Sequence, residues 1–114
     1  MQQRDPVDWQ AVLAAFDGDE AFAREVATVF ISSGQSCLDE ITNALARGDL
    51  QRLGAKAHEV KGASANLHAD GATHAATRLE TAAKAGAADQ VPQLERELRE
   101  ELTRAIEYLR GKVA

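Results

Sequence analysis

Ala57-His58-Glu59-Val60-Lys61-Gly62-Ala63-Ser64-Ala65-Asn66-Leu67 is the stretch on which the reading of this chain turns. Taken as a helix and extended back to Leu50, it places Leu50, Leu53, Ala57, Val60, Ser64 and Leu67 at successive spacings of three and four. That pattern marks one buried stripe. At ~100° per residue, His58 falls ~140° from the centre of the stripe. It therefore faces solvent. Its helical neighbours are Gly54, Lys61, Gly62 and Ala65, and small residues with one ammonium leave an imidazole open to approach.

Outward from this helix, the flanking sequence repeats the same pattern. Gly48-Asp49 ends one element and caps the next, and Asp70-Gly71 marks the following turn. Before it, residues 19–47 carry Phe22, Val26, Val29, Phe30, Cys37, Ile41 and Leu45 in helical phase. Ser32-Ser33-Gly34 interrupts that run, and a glycine costs ~1 kcal/mol in a helix interior. The unbroken register predicts one long helix, with a kink or a tight joint at Gly34 as the alternatives. Earlier still, Asp5-Pro6 opens a short helix over residues 7–16 with Trp9, Val12, Leu13 and Phe16 inside, and Asp17-Gly18-Asp19 stops it. It would lid one end of a bundle.

After the turn, Ala72, Ala75, Ala76, Leu79 and Ala83 form the inner face of a helix that closes at Ala85-Gly86-Ala87-Ala88-Asp89. So many alanines let backbones approach closely while burying less apolar area per residue. The last helix turns Val91, Leu94, Leu98, Leu102, Ala105, Ile106 and Leu109 inward. Glu95 with Arg99 and Glu100 with Arg104 are spaced as i, i+4 pairs for its wet side, and the turns past Arg110 should fray. Four long amphipathic helices joined by short turns must run antiparallel to their chain neighbours. The predicted fold is all-α: an up-down-up-down four-helix bundle with a short additional N-terminal helix, one domain over residues 1–114.

Composition agrees with that class. Apolar residues make up 45% of the 114 residues and aromatics 4%, so the core must be aliphatic and alanine-rich. A net charge of −5 argues against nucleic acid, which calls for a basic face. Cys37 is alone and in phase with the core, a small hydrophobe in a reducing cytoplasm and no disulfide framework. Met1-Gln2-Gln3-Arg4-Asp5-Pro6 has no apolar run behind it, and no stretch reaches the ~20 apolar residues of a membrane span. His58, His68 and His74 do not have the spacing of a metal motif: glycine holds position 62, where a zinc-type pair would need its second histidine. With one apolar stripe per helix, a monomer is expected.

His58, Val60, Lys61, Gly62, Ser64 and Leu67 match the pattern H-x-[LV]-K-G-x-[SA]-x-x-[LI]. In this the chain resembles the histidine-containing phosphotransfer (HPt) domain of phosphorelays. Gly18-Asp19-Glu20 leading to Phe30, Gly48-Asp49-Leu50, and Leu79-Glu80 fall where that family has similar residues. The likeness spans nearly the whole chain. It departs at His68, where the family commonly has glycine, so that Gly71 would take over the helix break.

The resemblance implies a phosphorelay intermediate in two-component signalling. His58 would accept a phosphoryl group from a receiver-domain aspartate and pass it to another receiver. Lys61, one turn on, would place its ammonium on the phosphoryl oxygens. Glu80 falls where the family holds the non-attacking ring nitrogen, fixing the tautomer as a carboxylate does when it hydrogen-bonds the free nitrogen of a metal-bound histidine. Gly54, Ala55, Gly62, Ala65 and Ala69 would form a low-profile floor for access and receiver docking. No phosphate-cradling loop appears, so the chain is no autonomous kinase and has no ATP site. It would carry no cofactor, the magnesium belonging to the partner receiver. Its partners are response-regulator receivers, with neither nucleic acid nor direct membrane contact. The Val7-Asp8-Trp9 lead-in resembles the opening of such domains in hybrid sensor histidine kinases, which favours a cytoplasmic domain of a membrane-anchored kinase over the alternative of a freestanding cytoplasmic protein. The rival readings are a helical module that binds a receiver without phosphotransfer, and a plain structural bundle.

Overall fold

The computed structural model describes residues 5–114. The sequence Met1-Gln2-Gln3-Arg4, with its lack of a signal-peptide pattern, lies outside the described residues. Five helices follow in order: α1 (Trp9–Ala15), α2 (Glu20–Arg47), α3 (Leu50–Asn66), α4 (Asp70–Lys84) and α5 (Val91–Val113). Helix α2 packs on α3 and α5, and α4 packs on the same two. The four long helices thus close a ring around one core, joined by short turns that make neighbours antiparallel. This is the predicted bundle, with α1 as the extra N-terminal helix.

The boundaries of the first three helices have local causes. Asp19 and Asp49 cap α2 and α3 by accepting from the backbone N–H of Phe22 and Arg52, each at 3.0 Å. Gly48 ends α2 at φ 69°, the left-handed conformation that a side chain resists. At α1 the cap is Asp8 rather than Asp5: its carboxylate accepts from Ala11 N at 3.1 Å, and the helix starts at Trp9. Val7 is buried instead of helical, and Asp8 N donates to His68 O at 3.1 Å, tying the lead-in to the α3–α4 turn. That turn also departs from expectation. His68 itself adopts φ 52°, a conformation histidine tolerates better than most residues, while Gly71 lies in the first turn of α4.

Helix α2 runs without a break through Gly34. The glycine is buried there, and a Cβ on it would lie 3.3 Å from Ile106 Cδ1, so it lets α5 come close. The core face of α2 is Ala23, Ala27, Phe30, Gly34, Ile41 and Ala44. Phe22 and Val29, expected inside, are 46% and 65% exposed. The 28 residues of α2 span ~42 Å against ~25 Å for the 17 of α3. Its first turns therefore pass beyond α3 and meet α1 instead, where Phe16 and Phe22 touch edge to face at 5.0 Å.

Helix α5 corrects two further expectations. Glu95 is 1% exposed, not on the wet side; Arg99 reaches over it from one turn on. Arg104 pairs with Glu101 at 3.2 Å in place of Glu100. The helix also continues past Arg110 to Val113, with Lys112 Nζ above the rings of Tyr108 and Trp9 at 5.3 and 5.9 Å.

Candidate functional site

Helices α3 and α4 meet through small side chains. Gly54, Ala57, Ala72, Ala75, Ala76 and Ala83 are buried, and a Cβ on Gly54 would lie 3.3 Å from the Cβ of Ala83. This close approach brings a glutamate on α4 within reach of a histidine on α3. His58 presents a side chain 63% exposed, and its Nδ1 lies 2.9 Å from Glu80 Oε2. Lys61, one turn along α3, places Nζ 2.9 Å from Glu80 Oε1. Lys84, one turn along α4, places Nζ 2.7 Å from Oε2. Glu80 is only 6% exposed. Three nitrogen donors from two helices thus converge on one carboxylate.

The cluster fixes the tautomer of the ring. Lys84, then Lys61, and less strongly His58 hold the Glu80 carboxyl down to about 2 against an ordinary 4.5, although its burial pushes the other way. An ionised carboxylate only accepts hydrogen bonds. Nδ1 must therefore carry the proton, and in the neutral imidazole the lone pair sits on Nε2. Among the described residues Nε2 has no hydrogen-bond partner. Two ammonium groups stand against one carboxylate, so this group of side chains carries a net positive charge.

The surface around His58 is low on one side. Ala55, Gly62 and Ala65 are exposed, and a Cβ on Gly62 would meet nothing within 4 Å. No packing demand explains that glycine. Gly54 and Ala69, expected in the same floor, are buried instead. The first sits in the α3–α4 contact, and the second is the residue from which α4 starts, so neither touches an incoming molecule. His58 lines neither a cleft of about 970 Å³ between the lead-in, the α3–α4 turn and α5 nor the depression beside Lys56. The accessible ring stands on open surface, suited to a macromolecular partner rather than an enclosed small substrate.

The ionic rim on the α2 side was not anticipated. Lys56 bridges Glu40 and Glu59, each at 2.8 Å, and Arg52 joins Glu40 at 3.3 Å. Half-buried Cys37 lies beside them; burial first, then the charge of Glu59, pushes its thiol up and away from the reactive thiolate. His68 and His74 line the distant cleft. No group of three His, Cys, Asp or Glu among the described residues is placed to hold a metal ion. Nor is any described helix long and apolar enough to cross a membrane. Sequence reasoning missed Lys84; its position four residues after Glu80 was the available signal.

Comparisons with known proteins bear on the fold and the family. The sequence matches no curated protein. The fold is similar to the HPT domain of an Hpt sensor hybrid histidine kinase from Shewanella, with a TM-score of 0.82 at 21% identity over 94% of this chain and 92% of that one. It is likewise similar to histidine-containing phosphotransfer protein B from Pseudomonas aeruginosa, with a TM-score of 0.85 at 22% identity over 96% of both chains. Residues 25–108 match the family model of the Hpt domain. That match covers most of the chain and includes the histidine helix: the protein belongs to the Hpt family, the phosphotransfer domains of phosphorelays.

Proposed function

We propose that His58 is the phosphoacceptor of this domain, taking a phosphoryl group from the aspartyl phosphate of one receiver and returning it to the aspartate of another. The Nε2 lone pair forms the new bond to phosphorus while the bond to the aspartyl oxygen breaks and a carboxylate leaves. The product is a phosphoramidate whose ring keeps its Nδ1 proton and gains a positive charge. Glu80, already ionised against Nδ1, offsets that charge. Return transfer reverses the same step, with a neutral imidazole as the leaving group. The observation that carries this reading is a histidine 63% exposed whose Nδ1 is held by a buried carboxylate, leaving the other nitrogen outward.

Lys61 supplies charge to the phosphoryl oxygens. An ammonium has three donors, so it can turn towards that group from its place on Glu80. Ala55, Gly62 and Ala65 form the part of the docking surface that admits the receiver. Magnesium belongs to the receiver's site, this chain works as a monomer without a cofactor, and the transfer takes place in the cytoplasm. The test is incubation of His58→Gln with a receiver phosphorylated by acetyl phosphate. The variant should take no label while its helical circular dichroism stays unchanged. Wild-type label should be acid-labile and stable in base. Label surviving in His58→Gln refutes the assignment.

A further inference from the structure

We propose that Lys84 is a positioning residue of this site, holding the Glu80 carboxylate while Lys61 turns towards the phosphoryl oxygens on His58. The inference rests on the reading of His58 as phosphoacceptor and deepens it. Glu80 divides its two oxygens unequally. Oε1 takes Lys61 at 2.9 Å, whereas Oε2 takes both His58 Nδ1 at 2.9 Å and Lys84 at 2.7 Å. A phosphoryl group on Nε2 brings new anionic oxygens beside Lys61, and these compete with Glu80 for its ammonium. A carboxylate 6% exposed cannot replace a departing cation with bulk water, so losing its last ammonium would be costly. Lys84 removes that conflict. It is bonded to the oxygen that orients the ring, and that contact persists whichever way Lys61 points.

An i, i+4 pair at a helix end ordinarily contributes little. Lys84, 69% exposed in the last turn of α4, would also interact favourably with the helix dipole. That ordinary role acts on α4 stability and not on transfer. What sets Lys84 apart is its partner: the carboxylate it holds is buried and is shared with the exposed histidine.

Phosphoramidate is a suitable probe, because a small donor removes receiver docking from the measurement. Nε2 bonds to phosphorus as the P–N bond breaks, and the already protonated nitrogen leaves as ammonia. Labelling at saturating phosphoramidate is followed by ³¹P NMR, alongside circular dichroism. Lys84→Met should slow labelling by about tenfold, the scale of a lost orienting partner, and Lys84→Arg should restore it. In a Lys61→Met background the same Lys84→Met change should slow labelling by more than it does beside an intact Lys61, because it then takes the last ammonium from the buried Glu80. An unchanged rate in Lys84→Met, an equal or smaller loss in the Lys61→Met background, or Lys84→Arg as slow as Lys84→Met overturns the proposal. His58→Gln run in parallel separates the two readings: labelling there would sink the phosphoacceptor assignment itself, whereas its absence leaves any failure to Lys84 alone.

Discussion

Among the described residues two carboxylates are buried, and they serve the bundle differently. Glu80 on α4 and Glu95 on α5 have side chains 6% and 1% exposed, and each has a basic residue four positions later. Arg99 covers Glu95 from the same helix, and Thr42 Oγ1 on α2 reaches it at 3.5 Å. That is a satisfied buried charge with its one cation in the solvent layer. Glu80 instead gathers His58 and Lys61 from α3 as well as Lys84 from its own helix. Burial and the i, i+4 pair are common to both. From a second helix Glu95 receives only the Thr42 hydroxyl, whereas Glu80 receives an ammonium and an open imidazole, and those two donors separate the sites.

The sharpest way to break this distinction is to remove each carboxylate in turn. Glu80→Ala leaves Nδ1 without its acceptor and two ammonium groups without their counter-charge. Phosphoramidate labelling of His58 should fall by about ten- to a hundredfold. Glu95→Met keeps similar volume and leaves only a half-exposed Arg99 and an exposed Thr42, both of which water can satisfy. Labelling there should be unchanged, and stability should move by less than about 1 kcal/mol in urea unfolding. Equal effects on labelling would erase the contrast.

Acid unfolding sharpens it further. The Glu80 carboxyl is held at about 2 in the fold, chiefly by Lys84 and then Lys61, against an ordinary 4.5. Between those values the unfolded chain binds the proton and the folded chain does not, so stability rises with pH across that window. The contribution of Glu80 is complete above about pH 4.5 and is lost as pH falls towards about 2. Urea midpoints should therefore drop more steeply with acid in the wild type than in Glu80→Gln. Matching slopes would mean that the three nitrogen donors do not stabilise the ionised carboxylate.

The two glutamates also show what a sequence can carry. Val91, Glu95, Leu98, Leu102, Ala105 and Leu109 follow spacings of four and three, so the position of Glu95 was readable as interior even though its charge argued for the surface. Glu80 likewise follows Ala76 by four and precedes Ala83 by three. The exposed face of His58 was readable for a simpler reason: its helix carries one unambiguous stripe, and the ring lies far from it. Phe22 and Val29 misled because phase alone does not say how far a neighbouring helix extends. The core of α2 is built largely from alanines, whose burial depends on a close partner rather than on their own hydrophobicity. The convergence on Glu80 depends on the α3–α4 separation, which no pattern within one helix encodes.

Gly54 and Gly62, two turns apart on α3, carry that separation into the smallest of the expected effects. Gly54 faces Ala83, and a Cβ there would lie 3.3 Å from the alanine's own. Gly54→Val should push α4 away, destabilising the fold by about 1–3 kcal/mol, and should slow labelling as Glu80 withdraws from His58. Gly62 faces open space, so Gly62→Ala should stabilise α3 by roughly 0.5–1 kcal/mol through helix propensity alone. Phosphoramidate labelling of Gly62→Ala should stay at the wild-type rate, because neither His58 nor Glu80 moves. Transfer from a phosphorylated receiver should slow, because the added methyl stands where a protein surface must approach the ring. Chemical denaturation with the two labelling assays reads all three quantities. If the receiver reaction is as fast as before, the low surface at Gly62 has no part in docking, and its only effect is the stability that α3 forgoes.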